Sequence, residues 1–207
     1  MKTIFLIALT LIILSCNNNN TKQEAISDTE TLGQIQMDSI DRLADMPKSF
    51  EEIGLEYAQT TQKLLGKNLM AAIQNKGIVN ALEFCNIKAI PLTDSMANLH
   101  NAIIKRVSDQ FRNPDNKPND EELNYINTFK DQLIANQAVK PIIIEKENKV
   151  HFYYPIITNK MCLQCHGDSK SIDPNVKAKI IELYPNDLAL GYDENQIRGI
   201  WSIQFDK

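Results

Sequence analysis

Glycine and proline are scarce in this chain, 7 and 8 of 207 residues, which excludes collagen-like and proline-rich architectures. A basic excess is also missing. Lys and Arg number 22 against 26 Asp and Glu, a net charge of −4, so nothing in the composition points to a nucleic-acid partner. Cysteine occurs four times, at Cys16, Cys85, Cys162 and Cys165, too few for a disulfide-dense scaffold. No internal repeat is evident. What remains is 43% hydrophobic and 23% charged, enough for a globular core and incompatible with wholesale disorder. The length allows one ordinary domain with an extension rather than two full domains.

The extension is at the N-terminus. Lys2 precedes an apolar run over residues 4–14, interrupted only by Thr10. That run is too short to span a bilayer as a stable helix and suits the apolar region of a signal peptide. It ends Ile13-Leu14-Ser15-Cys16, a small residue before a cysteine, which resembles the bacterial lipoprotein signal. The expectation is cleavage before Cys16, lipidation of its thiol, and residence as a periplasm-facing lipoprotein of the inner or outer membrane. Each buried methylene of such an anchor contributes about 0.8 kcal/mol. Removing residues 1–15 takes away Lys2 and no acid, which moves the net charge from −4 to −5. Residues 16–46, beginning with four asparagines after Cys16, read as a polar tether with weak helical character at 38–43.

The folded domain is expected over 47–207. Ser49-Phe50-Glu51-Glu52 fits a capping box, and Ile53, Tyr57, Leu64, Leu65, Leu69 and Ile73 follow at helical spacing to Lys76-Gly77. A second short helix is expected over 78–88, stopped at Ala89-Ile90-Pro91. Residues 102–107 read as a strand and 112–116 as a turn. Asn119-Asp120 caps a helix to about Ala135 that turns Leu123, Ile126, Phe129 and Leu133 inward. Residues 141–145 and 150–157 form a hairpin pattern around Lys146-Glu147-Asn148-Lys149. Asp173-Pro174 caps a helix to about Leu183, and 197–205 reads as a strand with Gly199 as a bulge. The sum is an α+β domain with three or four antiparallel strands.

Cys162-Leu163-Gln164-Cys165-His166 is C-x-x-C-H, the attachment signature of c-type haem. Two thiols three positions apart reach the two vinyl groups of one porphyrin. The adjacent imidazole then meets the iron from the same side, making His166 the proximal ligand through Nε2. An export signal agrees with covalent haem. A redox Cys-x-x-Cys is the main rival, but it requires a βαβ frame, and Gly167-Asp168-Ser169-Lys170 is a poor helix start. Zinc would need two further ligands.

For the distal position the candidates are His100, His151, Met70, Met96, Met161 and Cys85. Cys85 stands apart as a thiol with no evident covalent partner in an oxidising compartment. Spacing alone leaves it equally a ligand or a buried small hydrophobe. Arg106, Arg112 and Arg198 can pair with haem propionates or be ordinary surface arginines. The second reading is favoured for Arg198, and Arg112 is evenly balanced. Tyr153, Tyr154 and Trp201 can pack on the haem or form plain core.

Four fragments, in order, resemble the bacterial family of single-haem c-type domains with a PAS-like fold. They are Ala81-Leu82-Glu83-Phe84-Cys85 with Ala89-Ile90-Pro91; Arg106-Val107-Ser108 with Arg112-Asn113-Pro114-Asp115-Asn116; Tyr154-Pro155-Ile156 with Cys162-Leu163-Gln164-Cys165-His166-Gly167; and Gly191-Tyr192 with Ile197-Arg198-Gly199. The resemblance implies a PAS-like antiparallel sheet with a long N-terminal helix, around one covalent haem. It implies Cys162 and Cys165 as thioether links, and Cys85 as a distal thiolate opposite His166. Arg112 and Tyr154 are taken as haem contacts. Thiolate ligation favours ferric iron and a low potential. The expected role is a redox or gas sensor, open to carbon monoxide or nitric oxide and passing its signal to a partner protein. The alternative is a low-potential electron carrier. Distal Cys85 argues against a catalytic haem, so no catalytic residue is assigned, and a thiol–disulfide oxidoreductase is more distant still.

Overall fold

The computed structural model describes residues 47–207. The expected signal peptide, lipidated Cys16 and tether, including 38–43, lie outside the described residues.

Helix α1, Phe50–Leu99, begins where the capping box places it. Ser49 Oγ accepts from Glu52 N at 3.3 Å, and Glu52 Oε2 accepts from Ser49 N at 2.7 Å. At Gly77 the backbone swings to φ 78°, ψ 169°, a region that residues with a Cβ avoid, so the element is two helical segments joined at a break. The second segment does not stop at Lys88 as expected. It runs through Pro91 to Leu99. Proline in a helix interior removes one ladder bond and costs about 3 kcal/mol. Beyond it Thr93 and Met96 are buried, and Thr93 Oγ1 donates to Ala89 O at 2.8 Å. Burial of that last stretch against the sheet offsets the local break.

The remaining elements follow as β1 (Ile103–Val107), a single 3₁₀ turn (Pro114–Asn116), α2 (Asp120–Ile134), β2 (Ile142–Lys146), β3 (Lys149–Ile157), α3 (Lys160–His166), α4 (Pro174–Leu183) and β4 (Ile197–Asp206). The four strands form one sheet in the order β1-β4-β3-β2, every pair antiparallel. This is the α+β, PAS-like class read from the sequence. The hairpin is tighter than expected. Lys146 pairs with Lys149, leaving only Glu147-Asn148 as the connection, with Glu147 at φ 51°.

Alternation along the strands gives the sheet two buried faces. Ile104, Phe152, Trp201, Ile203 and Phe205 face α1 with Ala58 and Met96. Val107, Tyr153 and Ile200 face α2 with Ile126 and Phe129. Of the four residues expected to turn inward on α2, Leu123 does not; it is 38% exposed. Glu122 takes the inner position instead, 2% exposed and paired with Lys105 of β1 at 2.5 Å. A third cluster joins Leu82 of α1 to Ile172 and to Val176 and Ile180 of α4. None of the described helices is both long enough and apolar enough to cross a membrane.

Where β4 enters the sheet, Ile156 pairs with Gly199 and Ile157 with Ile197, so Arg198 is the extra residue of a bulge. Gly199 beside it lies against β1, and a Cβ there would sit 2.3 Å from Val107 O, a backbone atom that cannot step aside. Gly199→Ala is therefore expected to destabilise the domain by about 1–3 kcal/mol in urea unfolding. Gly66→Ala, in a helix with nothing within 4 Å, should instead stabilise it by about 0.5–1 kcal/mol.

Candidate functional site

A cavity of about 250 Å³ opens beside this bulge. Its walls come from both segments of α1, with Leu69 and Ile73 before the Gly77 break, the end of β1, the 112–116 turn, α3, Tyr184 and Arg198 of the β4 bulge. Each wall has a local cause. Asn159 caps α3 by accepting from Met161 N at 2.9 Å, and the helix then sets Cys162 and Cys165, three residues apart, on one side. Gly167 ends the helix, and a Cβ there would lie 2.6 Å from Leu163 O. His166 Nδ1–H donates to Ala189 O at 2.8 Å, which fixes the ring and leaves Nε2 with the free lone pair.

The 184–192 segment holds α3 in place. Gly191 N donates to Gly167 O and Tyr192 N to His166 O, both at 2.9 Å, and the Tyr192 ring stands edge-on to His166 at 6.4 Å. Arg112 bolts that segment down. Its Nε and Nη2 bind the Asp187 carboxylate at 3.1 and 3.0 Å, and Nη2 donates to Cys165 O at 2.7 Å. Arg112 thus lines the cavity, but its charge is committed to Asp187. The pair is buried, with Asp187 only 6% exposed. Arg112→Gln should cost about 3–5 kcal/mol in urea unfolding, because Asp187 is left buried and unpaired. Lys149→Gln, which breaks the exposed pair with Asp206, should cost no more than about 0.5 kcal/mol.

Cys85 lines the same cavity from α1, among Ala81, Leu82 and Ala89. Burial pushes its thiol pKa up, opposed by the nearby Arg106 and Arg112 guanidiniums. Burial likewise raises Cys165 to about 11, with Arg112 opposing. The His166 imidazole is pushed well below its usual range, first by burial and then by Arg198 and Arg112, so it is neutral at pH 7. A neutral imidazole is the form that binds a metal.

Of the six distal candidates, Cys85 and Met161 line the cavity. His100 stacks on Tyr57 at 4.2 Å and meets Thr60 Oγ1 at 2.9 Å. His151 lies within the sheet between Ile144 and Gln204. Met96 is in the α1 core, and Met70 is exposed. The structure does not bring Tyr154 to the cavity either. Strand alternation turns it with Phe152 toward the first segment of α1, their rings 6.3 Å apart, and sends Tyr153 to the opposite face against Tyr125. Arg198 is not the solvated surface arginine favoured above. It lines the cavity, donates to Ser108 Oγ at 2.8 Å and Gln110 O at 3.0 Å, and lies over the Tyr192 ring at 5.3 Å. Sequence reasoning missed Asp187 and Tyr184 altogether, since no local pattern links them to residues some 75 positions away.

The donor set suits a flat amphiphile attached at one edge. Two thiols and a neutral imidazole stand on one wall, a third thiol on another, with apolar side chains and guanidiniums between. The rivals fit less well. The all-antiparallel sheet lacks the βαβ frame of a thioredoxin-like site. Among the described residues no three His, Cys, Asp or Glu side chains converge to hold a metal unaided.

No curated protein matches the chain. Among solved structures, the crystal structure of the cyanobacterial heme-protein Tll0287 is similar at 18% sequence identity and a TM-score of 0.49, covering 87% of this chain and 98% of that one. The family model described as Tll0287-like matches residues 19–205, which include every cavity-lining residue. With nearly its whole length matched, the chain belongs to the Tll0287-like family.

Proposed function

We propose that this chain is a single-haem c-type protein, anchored to the cell envelope through lipidated Cys16, that acts as a redox or gas sensor rather than as an enzyme. Cys162 and Cys165 would hold the porphyrin by thioethers, with His166 Nε2 as the proximal ligand and Cys85 as the distal one. The observation that carries the reading is the meeting of Cys85 with Cys162, Cys165 and His166 around one cavity, with His166 Nδ1 already occupied by Ala189 O. Membership of a family whose namesake is described as a heme-protein supports it. Bound there, the haem supplies an iron that cycles between ferric and ferrous states and can take a diatomic gas.

The chain's own part is to couple that cycle to a movable element. Thiolate sulfur binds ferric iron better than ferrous, so reduction weakens the hold of Cys85. The segment that carries Cys85 lies between two interruptions of the helical ladder, Gly77 and Pro91. It is fastened to α4 through Leu82 and the Lys179–Glu83 pair at 2.7 Å. Release of Cys85 would shift the equilibrium of this segment, and a haem held here would then be open to carbon monoxide or nitric oxide. A partner protein at the membrane would read the shift.

The second reading is a low-potential electron carrier. It is favoured by Met161, 39% exposed beside Cys162, which sets the thioether edge near solvent. The deciding experiment is an optical and EPR spectrum of the ferric protein, followed by reduction under carbon monoxide. Low-spin thiolate signals and rapid carbon monoxide binding on reduction are expected. Bis-histidine or histidine–methionine signals overturn Cys85, and a haem closed to carbon monoxide in both states favours the carrier.

A further inference from the structure

Three guanidiniums surround the cavity, and one is spent: Arg112 is bound to Asp187 and to Cys165 O. Neither Arg106 nor Arg198 forms an ion pair with an acid among the described residues. Both are held in fixed places. Arg106, at the end of β1, lies over Trp201 at 6.0 Å, and Arg198, in the β4 bulge, is tied to Ser108 and Gln110. The Nε of Arg198 is buried without a hydrogen-bond partner. Both side chains also line a smaller adjoining cavity of about 110 Å³, together with Ser108, Asn116 and His166.

The two guanidiniums line the same two cavities, and burial first, then the charge of Arg198, lowers the pKa of Arg106. Asp187 also acts on Arg198 but is bound to Arg112, and two neighbouring, partly desolvated cations with no carboxylate paired directly to either favour an added counter-charge. A guanidinium fork is suited to a carboxylate.

Resting on the haem reading above, we propose that Arg106 and Arg198 are the seat of the two haem propionates. The count matches, since two guanidiniums without an ion pair meet two carboxylates. The arrangement also fixes which way round the macrocycle lies. Its vinyl half faces Cys162 and Cys165 on α3, and its carboxylate half faces the end of β1 and the bulge of β4. The bulge then has a use beyond twisting the sheet, because it inserts Arg198 as the unpaired residue and aims it at the cavity.

The test uses full-length holoprotein with Arg106→Gln or Arg198→Gln, after a pyridine haemochrome assay of the wild type. Absence of tethered haem there would defeat the haem reading itself, independently of this proposal. With haem present, resonance Raman propionate-bending bands should shift in both variants. The midpoint potential should fall in both, because a positive charge near the iron is lost and the ferric state is favoured. Lys149→Gln, at the far end of β3, should move neither. If a glutamine variant does not take up haem, the lysine variant at that position keeps the charge without the fork; its propionate band should shift while its potential stays near wild type. Attached haem with unmoved propionate bands in both arginine variants overturns the proposal.

Discussion

Cys85→Ala should raise the affinity of the ferric protein for an added ligand such as imidazole about 100-fold, if the native thiolate occupies the iron about 99% of the time. Ligand titration followed optically checks it. The ferrous protein should gain much less affinity for carbon monoxide, because Cys85 holds ferrous iron weakly to begin with. These two gains are linked to the potential. A ligand that favours the ferric state about 100-fold lowers a one-electron potential by about 120 mV, at about 59 mV per tenfold. Removing it should raise the midpoint potential by a comparable amount. The low-spin thiolate EPR signal should vanish in the same sample. No gain in either oxidation state, with no change in potential, would mean that Cys85 is a buried small hydrophobe, and equal gains in both states would mean that the Gly77–Pro91 segment carries no redox signal.

The second large effect concerns attachment. Cys162→Ala together with Cys165→Ala removes both thioethers but leaves His166, Cys85 and the arginines in place. A short covalent tether supplies an effective concentration on the order of 1 mM. At about 1 µM free haem, the doubly substituted protein should therefore show a roughly 1,000-fold lower ratio of loaded to empty sites than one tether would sustain. Acid extraction should strip what remains. Either single variant should keep its haem through extraction, held by the surviving sulfur. Protein-bound haem measured before and after extraction separates the double variant from the two single ones.

How much of this was legible in the sequence depends on the range of the interaction involved. The c-type motif is local, and its five residues needed no tertiary information. Capping at Ser49, Asn119 and Asp173 was equally readable, since each cap acts within three residues. Pro91 misled because a local breaker was weighed without the burial of Thr93 and Met96 beyond it. Tyr154, taken as a haem contact, lies instead on the α1 face of the sheet, because strand alternation and not the fragment it belongs to decides which face it occupies. The bolt from Arg112 to Asp187 and the placement of Arg198 by Ser108 join residues 75 and 90 positions apart, and no pattern in a single sequence encodes such pairings. Arg198 looked like a surface residue for the same reason. Its burial follows from the bulge, and the bulge follows from the close approach of Gly199 to β1.

The measurement that bears most directly on the central claim is a pyridine haemochrome spectrum of the membrane-matured protein after acid–acetone extraction. One haem per chain should remain with the polypeptide, with the band position of a porphyrin whose two vinyl groups have been converted to thioethers. Porphyrin that passes into the acetone, or none in either phase, would contradict covalent attachment at Cys162 and Cys165.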